Sequence, residues 1–475
     1  MLRFFRWAPG KSGRTYPVRG VLLGRMLVLL IGVAASIECI DRDFDLEQFC
    51  PNPCMVDAGS EEPSDAAMHD GSNEDATVIS DAGRLPLDGG VPDEGFVDAG
   101  PALCGDGILV PPEACDDANE EGSDGCASDC TVVEAGYRCL RAGQACVHWW
   151  TDEATIRIPV VVTAGGSDLP AGFVTSVEFD HGALVARGAR TTGTDLHLVY
   201  ESPSGTFTEL DRYLDPQSAW NGARTRLWFQ LPARIAASEV SRSFFLYVDA
   251  SRTPHANPEA IFSFYSGFDE LFPSWLIGDG TSPKLVSFST PWEGGSSSVL
   301  HAQNVKTPES FVSRSLPLGT VDVSMTGFVY LPDDFDSDPA DPVLLVYYCT
   351  LICFASDGGG RIVGFGVDGA RRTPFLSYKN GFTESDVVLP TGAWSRFELD
   401  IDQRVTDTVV RLRVNEEEAV TEILNIREDL RKLHVGVYWN ETGTADVYLD
   451  NVWERPIVLD EPAVTVENME PSLSL

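Results

Sequence analysis

Basic side chains are scarce. The 475 residues hold 34 Lys and Arg against 72 Asp and Glu, a formal net charge of −38. A phosphate backbone is bound by neutralising it with a basic patch, so a nucleic-acid partner is excluded. Five of the basic residues are lysines and the rest arginines, a skew that reads as genome composition and carries little function. Histidine is thin too. The seven are scattered, with none in a His-Glu-x-x-His pair. No Gly-x-Ser-x-Gly elbow and no phosphate loop occurs, which removes the commonest hydrolase and nucleotide signatures. The apolar run MLVLLIGVAAS is about a dozen residues, too short for a comfortable membrane span.

Several near-motifs dissolve on inspection. GFGVDGA at 364–370 matches Gly-x-Gly-x-x-Gly, but Pro374 follows and no helix is available to meet a pyrophosphate. Glu398, Asp400 and Asp402 alternate along one strand face, as carboxylates of a retaining glycosidase would. A second Glu is missing, so a solvated strand face is the plainer reading. DDFDSDPAD at 333–341 spaces its acids like a calcium loop without the central Gly and closing Glu. Cys349 and Cys353 in YYCTLICF are too far apart on a straight strand to bond. Either a bulge joins them or both are buried thiols.

What is present begins with an export signal at 1–36: a basic, acid-free start, the apolar run, then Ala34, Ala35 and Ser36 as a cleavage site. Cys39 stands where a bacterial lipoprotein carries lipid, although Glu38 precedes it where a small residue is wanted. Eleven cysteines are odd in an oxidising compartment, and lipidation of Cys39 would leave ten to pair. Lipid anchoring, the one expected membrane contact, and free secretion both stay open. Residues 37–103 form an acidic linker with recurring Asp-Ala-Gly and too few apolar groups to offset the entropy of ordering.

From Trp149 onward short apolar-alternating runs are separated by Gly, Pro and Asp turns. In VVRLRV, Val410, Leu412 and Val414 share one face and Arg411 and Arg413 the other, the period of a half-buried antiparallel strand. EILNIREDLRKL, 422–433, is the one helical candidate, with an irregular connection as the alternative. The expected fold is mainly β. A small disulfide-rich module at 104–146 precedes a β-sandwich at 149–260, a jelly roll at 261–457 and a tail at 458–475.

The segment CGDGILVPPEACDDANEEGSDGCASDCTVVEAGYRC resembles a cysteine-rich repeat of secreted myxobacterial proteins over about 36 residues. It departs at Ala118, where the repeat has Gly, and at Ser123, an insertion. Alanine resists the φ > 0 that glycine supplies, which puts that turn in doubt. So short a segment cannot bury a core and needs cross-links in its place. Cys104, Cys115, Cys126, Cys130, Cys139 and Cys146 allow fifteen pairings, and sequence does not choose among them. Zinc is disfavoured by the oxidising setting and the missing histidines. Asp116, Asp117, Asn119 and Asp124 crowd hard oxygen donors into one loop, so calcium is the candidate cofactor and plain solvation the alternative.

Residues 149–260 resemble a bacterial β-sandwich family of unknown function, on WWTDEATIRIPV, on DLHLVY with His197 where the family has Arg, and on LWFQLPARI. IFSFYSGFDELFPSW, GAWSRFELDID and ADVYLDNVW resemble a concanavalin A-like, laminin G-like jelly roll. That class implies ligand recognition, with carbohydrate or extracellular matrix as the expected partner and no catalysis. It also contains glycosidases, and a structural spacer acting through protein contacts is the other alternative. Trp292, Trp394 and Trp439 suit sugar rings but are more often core, so no aromatic site is assigned.

Overall fold

The computed structural model describes residues 103–471 except 271–275, 278–281, 293–294, 306–309, 321, 336–342, 350–360, 370, 379–380, 404–406, 426, 428 and 439–443. The export signal, Cys39, nearly all of the acidic linker, Cys353, Trp439 and most of the 333–341 loop lie outside the described residues. The chain divides into two compact units, 1–91 and 92–475, and only the second contains described residues.

The cysteine module has a single small hairpin, β1 (Tyr137–Arg138) with β2 (Val147–His148). The sandwich follows with β3 (Ile156–Thr163), β4 (Val174–Phe179), β5 (Leu196–Glu201) and β6 (Phe207–Leu210). Then come β7 (Tyr213–Leu214), β8 (Thr225–Gln230) and β9 (Val240–Val248). A short helix, α1 (His181–Val185), starts at Asp180, whose side chain accepts from the Ala183 amide. Another, α2 (Pro258–Ile261), is capped by Asn257 and leads the chain into the second β domain.

That domain opens with β10 (Phe264–Ser266), β11 (Leu276–Ile277), β12 (Lys284–Phe288), β13 (Ser297–Val305) and β14 (Ser310–Thr320). It continues through β15 (Val323–Leu331), β16 (Val343–Cys349), β17 (Arg361–Val367), β18 (Pro374–Tyr378) and β19 (Gly381–Glu384). It closes with β20 (Ala393–Asp402), β21 (Thr408–Val414), β22 (Glu417–Leu424), β23 (Leu430–Tyr438) and β24 (Thr444–Pro456). Two antiparallel sheets result. The first runs β12-β13-β24-β15-β20-β21-β22 with β10 beside β24, and the second runs β11-β14-β23-β16-β17-β18-β19. Their inner faces interleave Met325, Val329, Phe397, Leu399 and Leu412 with Val346, Phe365, Leu433 and Val435 in one apolar core. The fold is a β-sandwich bearing a second domain of two packed antiparallel sheets, a jelly roll. Along β21, Thr408, Val410, Leu412 and Val414 are buried and the residues between them half-buried, the alternation the sequence predicts.

Two expectations are corrected. EILNIREDLRKL is not a helix: it holds the end of β22, the connection after Leu424 and the start of β23 at Leu430. Leu424, Leu430 and Leu433 are buried from two different strands, which mimics a helical period across a turn. The tail at 458–475 is not a tail. It carries β25 (Ala463–Val466) and β26 (Glu470–Pro471), both paired with β3. The sandwich's larger sheet is therefore β25/β26-β3-β9-β5-β6, facing β4-β8-β7. The jelly roll is an insertion between the sandwich's last two stretches of strand.

The two domains meet through an aromatic seam. Val174 and Trp228 of the sandwich pack with Ile261, Phe262, Trp292, Phe328 and Trp453. Arg396 lies over the Trp453 ring and Arg455 over Trp228. Asp215, 1 % exposed, accepts from Trp228 Nε1 at 2.8 Å and from Arg396 Nη1 across the seam at 3.0 Å. Thus the sandwich covers the outer face of the first jelly-roll sheet around Phe328, Arg396 and Trp453, while Phe288, His301, Tyr330 and Tyr448 on the same sheet stay half-buried against one another.

Candidate functional site

The module's six cysteines pair as Cys104–Cys130, Cys115–Cys126 and Cys139–Cys146. The turn at Ala118 persists without glycine: Ala118 has φ 69° and inserted Ser123 φ 78°. Side-chain acceptors hold both. Asp116 Oδ1 accepts from the amides of Ala118 and Gly107 and its Oδ2 from Gly105, while Glu134 accepts from Ser123. Asp116 is therefore a former of turns. Asn119 has a similar task, its Oδ1 accepting from Glu121 N and its Nδ2 donating to Asp124 Oδ2. Asp117 and one oxygen of Asp124 are buried and accept no hydrogen bond. Among the described residues no group of three or more His, Cys, Asp or Glu side chains is arranged to hold a metal ion.

In the jelly roll the acids of β20 are tied up. Arg413 Nη2 reaches Glu398 at 2.6 Å and Asp400 at 2.7 Å, and Arg455 stands 3.5 Å from Glu398. Burial alone would raise the Glu398 pKa, but Arg455, Arg413 and Arg396 together bring it down to about 2. Burial and the Glu398 charge push Asp400 up. One guanidinium bridging both carboxylates leaves no gap in which they could flank a glycosidic bond. Glu398→Gln is accordingly expected to lower stability by about 3 kcal/mol, the lower end for breaking a buried pair. A depressed carboxylate pKa stabilises above the ordinary carboxylate range and loses that effect as pH falls toward 2. The midpoint difference between the two proteins should therefore shrink on acidification; equal midpoints at neutral pH would show that the clamp contributes nothing.

The other face is different. On the outer side of the second sheet, register places Ser313, His434, Tyr347, Gly364, Ser377 and Phe382 in one cross-strand row. His434 stacks on Tyr347 with ring centroids 4.4 Å apart, and Phe311 lies against it. Burial, with help from Lys432, lowers the His434 pKa to about 3, so the imidazole is neutral at ordinary pH. Its Nε2 faces Cys349 Sγ at 3.6 Å and its Nδ1 accepts and donates no bond. Cys349 is disulfide-bonded, which decides against the free-thiol reading. The glycines of the apparent nucleotide motif have a packing reason. A Cβ at Gly366 would sit 2.2 Å from the Phe375 ring, which lies across it, and one at Gly364 2.6 Å from Tyr347 Cβ and 2.8 Å from the Val346 carbonyl, a close approach of the neighbouring strand. Phe382, at the margin of this face, is 55 % exposed.

The remaining sequence candidates are structural. Trp292 is seam core, with Nε1 donating to Asp450, and half-buried Trp394 donates to the Ser289 carbonyl. His197 is fully buried between Glu209 and the Asp249 carbonyl, a polar anchor in place of the expected arginine. His434 escaped the sequence reading because a lone histidine has no motif. Its signal was its place in LHVGVY, on the face opposite Leu433, Val435 and Val437.

No family model and no curated protein matches this chain. Among solved structures it is similar to the alginate lyase vAL-1 from Chlorella virus, at 13% identity over 39% of this chain and 93% of that one, TM-score 0.28. It is also similar to an endo-1,3-beta-glucanase from Streptomyces sioyaensis, at 10% identity over 41% and 95%, TM-score 0.30. The carbohydrate binding module CBM66 from Bacillus subtilis is similar at 14% identity over 38% and 95%, TM-score 0.24. Likeness this distant says nothing by itself about what the chain binds or cleaves.

Proposed function

We propose that the protein is an exported, cell-surface or extracellular binding protein that holds a carbohydrate on the outer face of the second jelly-roll sheet, without chemistry. One observation carries the reading: at the margin of the second sheet's outer face Phe382 stands 55 % exposed against Phe375, over a cluster of Phe311, Tyr347, Phe375 and His434 that is itself buried. Flat rings beside neutral donors suit sugar faces and hydroxyls. Export is supported by the disulfides, which persist in oxidising compartments. Cys39 would serve as the lipid anchor if the surface reading holds.

The test is a glycan array probed with the oxidised protein and with Phe382→Ala, which removes an exposed ring. Retention of a neutral oligosaccharide, weakened about tenfold in the variant, is expected. No retained glycan, or equal retention by the variant, would refute carbohydrate binding on this face and favour a spacer that works through protein contacts.

A further inference from the structure

We propose that Asp117 and Asp124 bind one calcium ion inside the ring closed by the Cys115–Cys126 disulfide. That bond holds the two Cα atoms 5.9 Å apart and so draws together both ends of the 116–125 loop. Asp117 stands two residues inside one end and Asp124 two residues inside the other.

Asp117 is 6 % exposed, and neither of its carboxylate oxygens accepts a hydrogen bond. Oδ1 of Asp124 is buried and equally without a donor. The charge of Asp124 acts on Asp117, and no lysine or arginine does. Three buried carboxylate oxygens on two like-charged side chains, none of the three with a donor, need either a proton or a cation. A proton neutralises one of them and leaves the remaining buried oxygens without partners. A hard cation satisfies both together.

The ligand set is narrower than the four residues of the sequence motif. Asp116 and Asn119 shape the loop through backbone amides. Zinc would want the thiolates, and all six of the module are in disulfides. Calcium takes six to eight oxygens, the balance coming from water and carbonyls, and so few carboxylates place its affinity in the extracellular range, on the order of 10⁻⁴ to 10⁻³ M.

The experiment is a calorimetric titration of the oxidised full-length protein with calcium chloride, with thermal scans in calcium and in EDTA. One ion per chain and a higher midpoint in calcium are expected. Asp117→Asn, close in shape, should abolish uptake and raise the midpoint in EDTA, because a like-charge contact disappears. Glu120→Gln, on an exposed side chain of the same loop, should leave uptake unchanged. No heat with equal midpoints in calcium and EDTA would overturn the site, and so would uptake that survives Asp117→Asn. The wild-type titration decides even if a variant misfolds.

Discussion

A chain stopped after Ile457 should lose the sandwich, although more than three hundred residues separate the deleted segment from the strand it supports. Ala463 to Val466 pair with Thr163 to Val160, and Glu470 pairs with Arg157. Val458, Val464, Val466 and Met469 pack on the sandwich core. At roughly 1 kcal/mol for each half-buried side chain, their loss costs about 4 kcal/mol. Arg157, nearly buried, would also lose its 2.6 Å contact with Glu470. Such a sum is comparable with the whole stability of a domain, about 5–15 kcal/mol. The truncation also exposes β3, whose first seven residues are all buried, as an unpaired edge prone to association. Urea unfolding followed by circular dichroism, with size-exclusion chromatography, checks this. A truncated monomer with the full-length midpoint would disprove the role given to β25 and β26.

The second large effect lies at the seam. Asp215→Ala removes the acceptor shared by Trp228 Nε1 and Arg396, whose side chain is only 4% exposed. Gln217 Oε1, 3.4 Å from Arg396 Nη1, is a poor substitute. Stranding a buried guanidinium costs about 3–5 kcal/mol, so thermal unfolding should fall steeply and separate into two transitions as the domains uncouple. Arg396→Met added to Asp215→Ala should restore much of the loss, because an apolar pair leaves no charge unpaired. Additive losses in the double variant would mean that the two residues act independently.

How much of this was legible depends on the range of the interaction. The alternation in VVRLRV reports a local fact, one face in and one out, and β21 obeys it. The jelly roll was readable because many such strands follow one another. AVTV was not, because four alternating residues in an acidic stretch say nothing until β3 is placed beside them. The leucines of 422–433 misled because two strands and a turn can imitate one helical face. In the module, sequence marked an acid-rich loop but could not tell which acids meet amides, since that depends on turns held at Ala118 and Ser123. The aromatic face was hidden for a similar reason: His434 and Tyr347 become neighbours only through the β16–β23 register.

The return of the chain to β3 has a consequence for the order of events during synthesis. A chain emerging from its N-terminal end makes β3 before the jelly roll, yet that strand's outer partners appear only after the jelly roll is complete. The jelly roll, contained between β10 and β24, can close before they arrive. The sandwich is thus begun before the jelly roll and completed after it, and until β25 and β26 are released β3 stands exposed to any chaperone or neighbouring chain able to pair with it.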